Sequence, residues 1–106
     1  MAEVGMTDNA VEALVSRADL ALDTMHLASE GLVHLRITRH SADGLVGVTV
    51  DSTGAMVGLE LAEDLSRQSA RKLTESITGV AAAAARDALD QRRRILERMR
   101  SSLSAT

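Results

Sequence analysis

The sequence predicts an α+β fold: a protomer of order α-β-β-β-α in which a three-stranded antiparallel sheet lies between long N- and C-terminal helices. Three observations predict it. Apolar residues of the first thirty positions recur at helical three-and-four spacing, those from 33 to 61 alternate singly in three short runs, and helical spacing returns after an acidic break. The 106 residues give one domain, 1–106, and a lone domain of this size buries a comparatively small share of its surface. Assembly with a second copy is therefore expected from the outset.

Residues 1–8 are expected to be disordered. The first helix is expected over 9–30, where Val11, Leu14, Val15, Ala18, Leu22 and Met25 form one face. Asn9 with Glu12 three residues on is a capping-box variant, and Gly31 can take the left-handed conformation that ends helices. A three-stranded meander is expected over 32–61. Val33, Leu35 and Ile37 alternate with His34, Arg36 and Thr38; Val46, Val48 and Val50 form a second apolar face, and Val57, Leu59 and Leu61 a third. The breaks, Ser41-Ala42-Asp43-Gly44 and Asp51-Ser52-Thr53-Gly54, carry hairpin-turn chemistry. Gly47 and Gly58 leave the second sheet face partly bare, as where another backbone or helix packs closely.

The stretch AEDLSRQS reads as a helical turn and a break, with Ser66 or Ser69 able to cap the next helix. That long helix is expected over 70–103. Its stripe is Leu73, Ile77, Val80, Ala84 and Ala88, continuing less regularly through Ile95, Leu96, Met99 and Leu103. Small residues from Gly79 to Ala85 permit close approach, and the stripe beyond Arg92 exceeds what three strands can cover. That last third should project, or pair with another helix.

Composition narrows the function. Hydrophobic residues make up 45% of the chain without one Phe, Trp or Tyr, so stacking of bases or sugars on aromatic rings is excluded as a recognition device. With no cysteine there is no disulfide, thiolate nucleophile or zinc-thiolate site, which fits a reducing cytoplasm. The longest apolar run, Val80 to Ala85, is too short to span a bilayer, and the first residues lack the basic start and apolar core of a signal peptide. No membrane partner is expected. Net charge is −3, but unevenly placed. Residues 1–30 hold Glu3, Asp8, Glu12, Asp19, Asp23 and Glu30 against Arg17, whereas residues 86–100 hold Arg86, Arg92, Arg93, Arg94, Arg98 and Arg100 against Asp87, Asp90 and Glu97.

Nothing in the sequence points to catalysis. His26, His34 and His40 fall in no catalytic or metal-ligand spacing; His34 is placed on the polar face of the first strand and His40 beside a turn. Asp51-Ser52-Thr53-Gly54 imitates a phosphate loop, but strands flank it where a phosphate loop opens a helix. No enzyme, cofactor or metal is expected. The cluster QRRRILERMR has two readings. Its cations can simply favour the negative end of a helix dipole, or Arg92, Arg93, Arg94, Arg98 and Arg100 can contact phosphate oxygens from a projecting helix.

Across GLVGVTVDSTGAMVGLELAEDL and AAAAARDALDQRRRILERM, spanning Gly44 to Val50, Val57 to Leu61 and Arg86 to Met99, the sequence resembles the YbaB/EbfC family of bacterial nucleoid-associated proteins. The high Ala, Arg, Asp and Val content is compatible with a divergent member from a high-GC, actinobacterial source. The resemblance implies a tweezer-like homodimer with projecting helices, duplex DNA as partner, and a cytoplasmic, nucleoid location. Basic residues of the terminal helix are its implied DNA contacts, here Arg92, Arg93, Arg94, Arg98 and Arg100. The leading expectation is a homodimer binding duplex DNA with low sequence specificity, since arginine clusters without a recognition-helix motif mainly supply phosphate contacts. The alternative is a protein-interaction module without DNA binding, in which acidic and basic helices dock on each other or the acidic N-terminal helix takes another protein.

Overall fold

The computed structural model describes residues 2–65 and 69–105. Its elements are α1 (Ala2–His34), β1 (Ile37–His40), β2 (Val46–Val50), β3 (Met56–Leu61) and α2 (Ala70–Ala105), the α-β-β-β-α order that the periodicities predict. The sheet is an antiparallel meander of order β1-β2-β3, with Arg39 opposite Val48 and Val48 opposite Leu59. Residues opposite one another share a face. Ile37, Val46, Val48 and Val50 therefore point to one side, and α2 lies over it across β1 and β2.

The core is small and aliphatic. Val46, Val48 and Val50 are almost completely buried beneath Val80, Ala84 and Ala88 of α2, with Leu35 closing one end. Ala84 and Ala88 explain the close seating of helix on sheet, because a methyl group is the only side chain between the α2 backbone and the valines. Arg39, on the same face, reaches over the sheet edge to Asp87 at 2.9 Å. The opposite face is polar. There the Thr38 and Thr49 hydroxyls bond at 2.7 Å, and the His40 ring lies 3.0 Å from where a Cβ of Gly47 would stand. Within the protomer the bare glycines are covered by cross-strand side chains, His40 and Glu60 at Gly47 and Thr49 at Gly58.

Both hairpin turns behave as their sequences predict. Gly44 and Gly54 take positive φ, 74° and 83°. Asp43 accepts hydrogen bonds from the Ser41 hydroxyl and the Leu45 amide, and Asp51 from the Thr53 hydroxyl, the Thr53 amide and the Ala55 amide. These donors favour the ionised form, so both carboxyls titrate below their ordinary range.

Several boundaries depart from the sequence reading. The first helix begins at Ala2, taking in residues 2–8, and ends at His34, so Asn9 and Gly31 lie inside it and neither caps it. Gly31 lies instead at the contact with α2, where a Cβ would meet Ile95 Cδ1 at an ordinary contact distance of 3.5 Å. Val33 and His34, expected in the first strand, belong to the last turn of α1. Val33 is exposed and His34 Nδ1 lies 2.9 Å from the Glu30 carbonyl oxygen. An apolar alternation of three residues was too short to distinguish a strand from a helix end. The third strand is present, but Val57, Leu59 and Leu61 are exposed, and Val57 is skipped by an irregularity in the register opposite Thr49 and Val50.

Between β3 and α2, residues 62–65 form no helical turn; Ser66 lies outside the described residues. Ser69 caps α2, its hydroxyl accepting from the Lys72 amide at 3.1 Å. The helix then runs 36 residues to Ala105.

Candidate nucleic-acid interface

The arms arise because both helices outrun the sheet. A compact chain of this length has a radius of gyration of about 13 Å; here it is 22.8 Å, with extents of 85 × 19 × 15 Å. The stripe from Leu73 to Ala88 is covered by the sheet. Beyond it α2 meets α1, through Ile95 and Met99 against Ala28 and Gly31, so the C-terminal third both projects and pairs. A groove beside this contact is lined by Thr24, Leu27, Arg98 and Ser102.

The five expected contact residues all lie on this projecting part of α2, but not on one face. At about 100° of rotation per residue, Arg93 and Arg100 point away from the sheet and α1, Arg92 is turned toward them and half buried, and Arg94 and Arg98 lie on the other flank. Arg93 and Arg94 converge on one carboxylate, Asp90, at 2.6 and 2.9 Å, and Arg93 also approaches Glu97 at 3.9 Å. Such exposed pairs are worth about 0–1 kcal/mol each, so a phosphate can displace them. Arg98 lines the interhelical groove, and Arg100 is exposed.

One further arginine shares the outward face. Arg86 is exposed and, being seven and fourteen residues before Arg93 and Arg100, stands on their face. The seven-residue spacing was the signal that could have found it. Of the other arginines, Arg36 donates to the Leu35 and Val33 carbonyls and Arg39 is held by Asp87, which ties both to the protomer itself.

The acidic part of the chain behaves differently. From Val11 to Leu20 every α1 residue is exposed, and among the described residues no ion pair links α1 to α2. The two ends of the charge distribution therefore do not neutralise each other within one protomer. No described helix is long and apolar enough to cross a membrane, and the described His, Asp and Glu residues form no cluster able to hold a metal ion.

The model of the YbaB/EbfC DNA-binding family matches residues 8–103, nearly the whole chain. A search of curated proteins finds no match.

Proposed function

Because the chain belongs to the YbaB/EbfC DNA-binding family, we propose that it is a non-catalytic, nucleoid-associated protein of the bacterial cytoplasm that binds duplex DNA as a homodimer. The observation that supports this most directly is the arginine-rich end of α2 on an arm that projects from the sheet. Arg93 and Arg100, joined by Arg86, form the outward cationic face; Arg92, Arg94 and Arg98 extend it around the helix. A cationic helix without a set of base-reading side chains engages phosphate oxygens, and affinity then depends little on sequence.

Dimerisation is supported by the edge of the sheet. On β3, Met56, Val57, Leu59 and Leu61 are each 42–52% exposed, and α2 packs chiefly on β1 and β2. An edge strand bearing an open apolar shelf is a pairing surface. A second copy laid against it would bury the shelf and present the α2 arginines twice.

Salt titration of binding to duplexes of unrelated sequence tests the proposal. Affinity should fall steeply between ~50 and ~200 mM salt and nearly equally for every sequence. Absence of binding at the lower salt would remove DNA from the function and favour the protein-interaction reading.

A further inference from the structure

From Val11 to Leu20 the acidic arm of α1 is exposed throughout, and the reason is register. Gly31 faces Ile95 while Thr24 and Ser102 line the same groove, so the two helices run antiparallel. With a common rise of about 1.5 Å per residue, Ala105, the last residue of α2, stands level with Ala21. Everything before Ala21 extends past the end of α2, and residues 11–20 are exposed accordingly.

The outer face of α1, running from this free arm into the stretch beside α2, is not uniformly polar. Val11, Val15, Ala18, Leu22 and Met25 follow at alternating steps of four and three, the spacing of a coiled-coil seam. Val11, Val15, Leu22 and Met25 are 46–58% exposed. Glu12 and Asp19 flank the seam on one side.

The outer face of α2 has the complementary pattern. Leu89, Leu96 and Leu103 recur every seven residues; Leu89 is 51% exposed, and Leu96 and Leu103 are half-buried. Arg86, Arg93 and Arg100 flank them at the position equivalent to that of Glu12 and Asp19 in α1. From Val11 to Met25 and from Leu89 to Leu103 the two stripes are equally long. Laid antiparallel, they set Glu12 beside Arg100 and Asp19 beside Arg93, the flanking pairs that fix orientation in coiled coils. An α1 on α1 contact in the same orientation would set acid against acid.

We propose that the free arm of α1 docks antiparallel along the Leu89–Leu103 stripe of α2 in a second copy of this chain. The contact joins different surfaces on the two copies, so each copy offers one arm and one stripe: exchanged reciprocally they close a pair, and joined head to tail they extend by addition. It is separate from the β3 edge, and it uses Arg93 and Arg100, so the acidic arm and a DNA phosphate backbone compete for the same cations. It does not depend on DNA binding, and its test contains no DNA.

Sedimentation of the full chain at ~50 mM salt, from ~10 μM to ~1 mM, should show mass rising with concentration, and falling back as salt screens the flanking pairs. The variants E12R/D19R and R93E/R100E should each weaken this association at least tenfold while circular dichroism shows unchanged helix content. Mixing the two variants should restore association, because the reversed α1 of one then matches the reversed α2 of the other. A wild-type mass that stays at the monomer, or that salt leaves unchanged, would overturn the proposal. So would a single variant that associates like the wild type, or a mixture that fails to associate.

Discussion

Replacing Leu59 by Asp separates the fold of the protomer from its pairing. Leu59 is 45% exposed on β3, whereas Val48, directly opposite it, is fully buried. Burying an aliphatic side chain completely is worth about 1.5–3 kcal/mol, so covering the exposed half of Leu59 contributes about 1 kcal/mol. Over Met56, Val57, Leu59 and Leu61 on each of two copies, the shelf supplies roughly 6–12 kcal/mol, set against an association cost of about 4–15 kcal/mol. The pairing is therefore sensitive to any loss. Leu59→Asp removes apolar contact and brings two carboxylates into a closed interface, each costing several kcal/mol to desolvate; the dimer should weaken by about 1000-fold or more, or about 4 kcal/mol. The protomer itself should lose only about 1 kcal/mol, because the new carboxylate stays in water at an open edge. Val48→Asp is the contrast: a charge beneath Ala84 and Ala88 should unfold a domain whose whole stability is about 5–15 kcal/mol. Sedimentation equilibrium read beside circular dichroism distinguishes the outcomes. A folded Leu59→Asp protein that dimerises like the wild type would refute β3 as the pairing surface.

Three further outcomes are expected. Gly31→Ala should raise the melting free energy by up to about 1 kcal/mol, because the site is helix interior and the added methyl only touches Ile95; a loss of similar size would mean that Gly31 terminates the helix after all. Replacing Arg92, Arg93 and Arg94 by Ala should weaken binding to all duplexes alike and reduce the salt slope by roughly one per lost phosphate contact, with little change in thermal stability. Because hydrogen bonds from Thr53 hold the Asp51 carboxyl below its ordinary value of 3.8, its contribution to stability is fully present above that pH and is lost as pH falls through the lowered folded-state value. Asp51→Asn should therefore show a smaller loss of stability in acid than the wild type when urea midpoints are compared at about pH 5 and about pH 2, as the same linkage requires.

The parts of the fold that were legible were those where local chemistry and tertiary packing agree. The strand Val46 to Val50 alternates, is bounded by two turns with Asp and Gly at the required positions, and is central in the sheet, so every neighbour reinforces its pattern. The ends of α1 were read wrongly because capping residues are permissive signals. Asn9 can cap but need not, and Gly31 sits inside the helix at its contact with Ile95, a residue 64 positions away that no local window contains. Likewise, alternation in Val57, Leu59 and Leu61 revealed a strand but not its exposure. Burial depends on how far α2 reaches across the sheet, and α2 packs chiefly on β1 and β2.

The site was legible as charge but not as geometry. Counting cations located the arm, since Arg92, Arg93, Arg94, Arg98 and Arg100 crowd nine residues. Counting could not sort them, because adjacent residues on a helix point about 100° apart and a run of three arginines necessarily disperses. Periodicity sorts them better: Arg86, Arg93 and Arg100 share a face, and Asp90 and Glu97 accompany them on the same seven-residue repeat. Those two acids hold Arg93 at 2.6 and 3.9 Å, so the arm's outward face is a ladder of alternating charge with a cationic excess and not a bare cationic strip. A surface of that kind is modest in its pull on phosphate and responsive to salt. It is also open to any competing acid delivered at the right spacing, and the free arm of α1 carries Glu12 and Asp19 at the same seven-residue interval that separates Arg93 from Arg100.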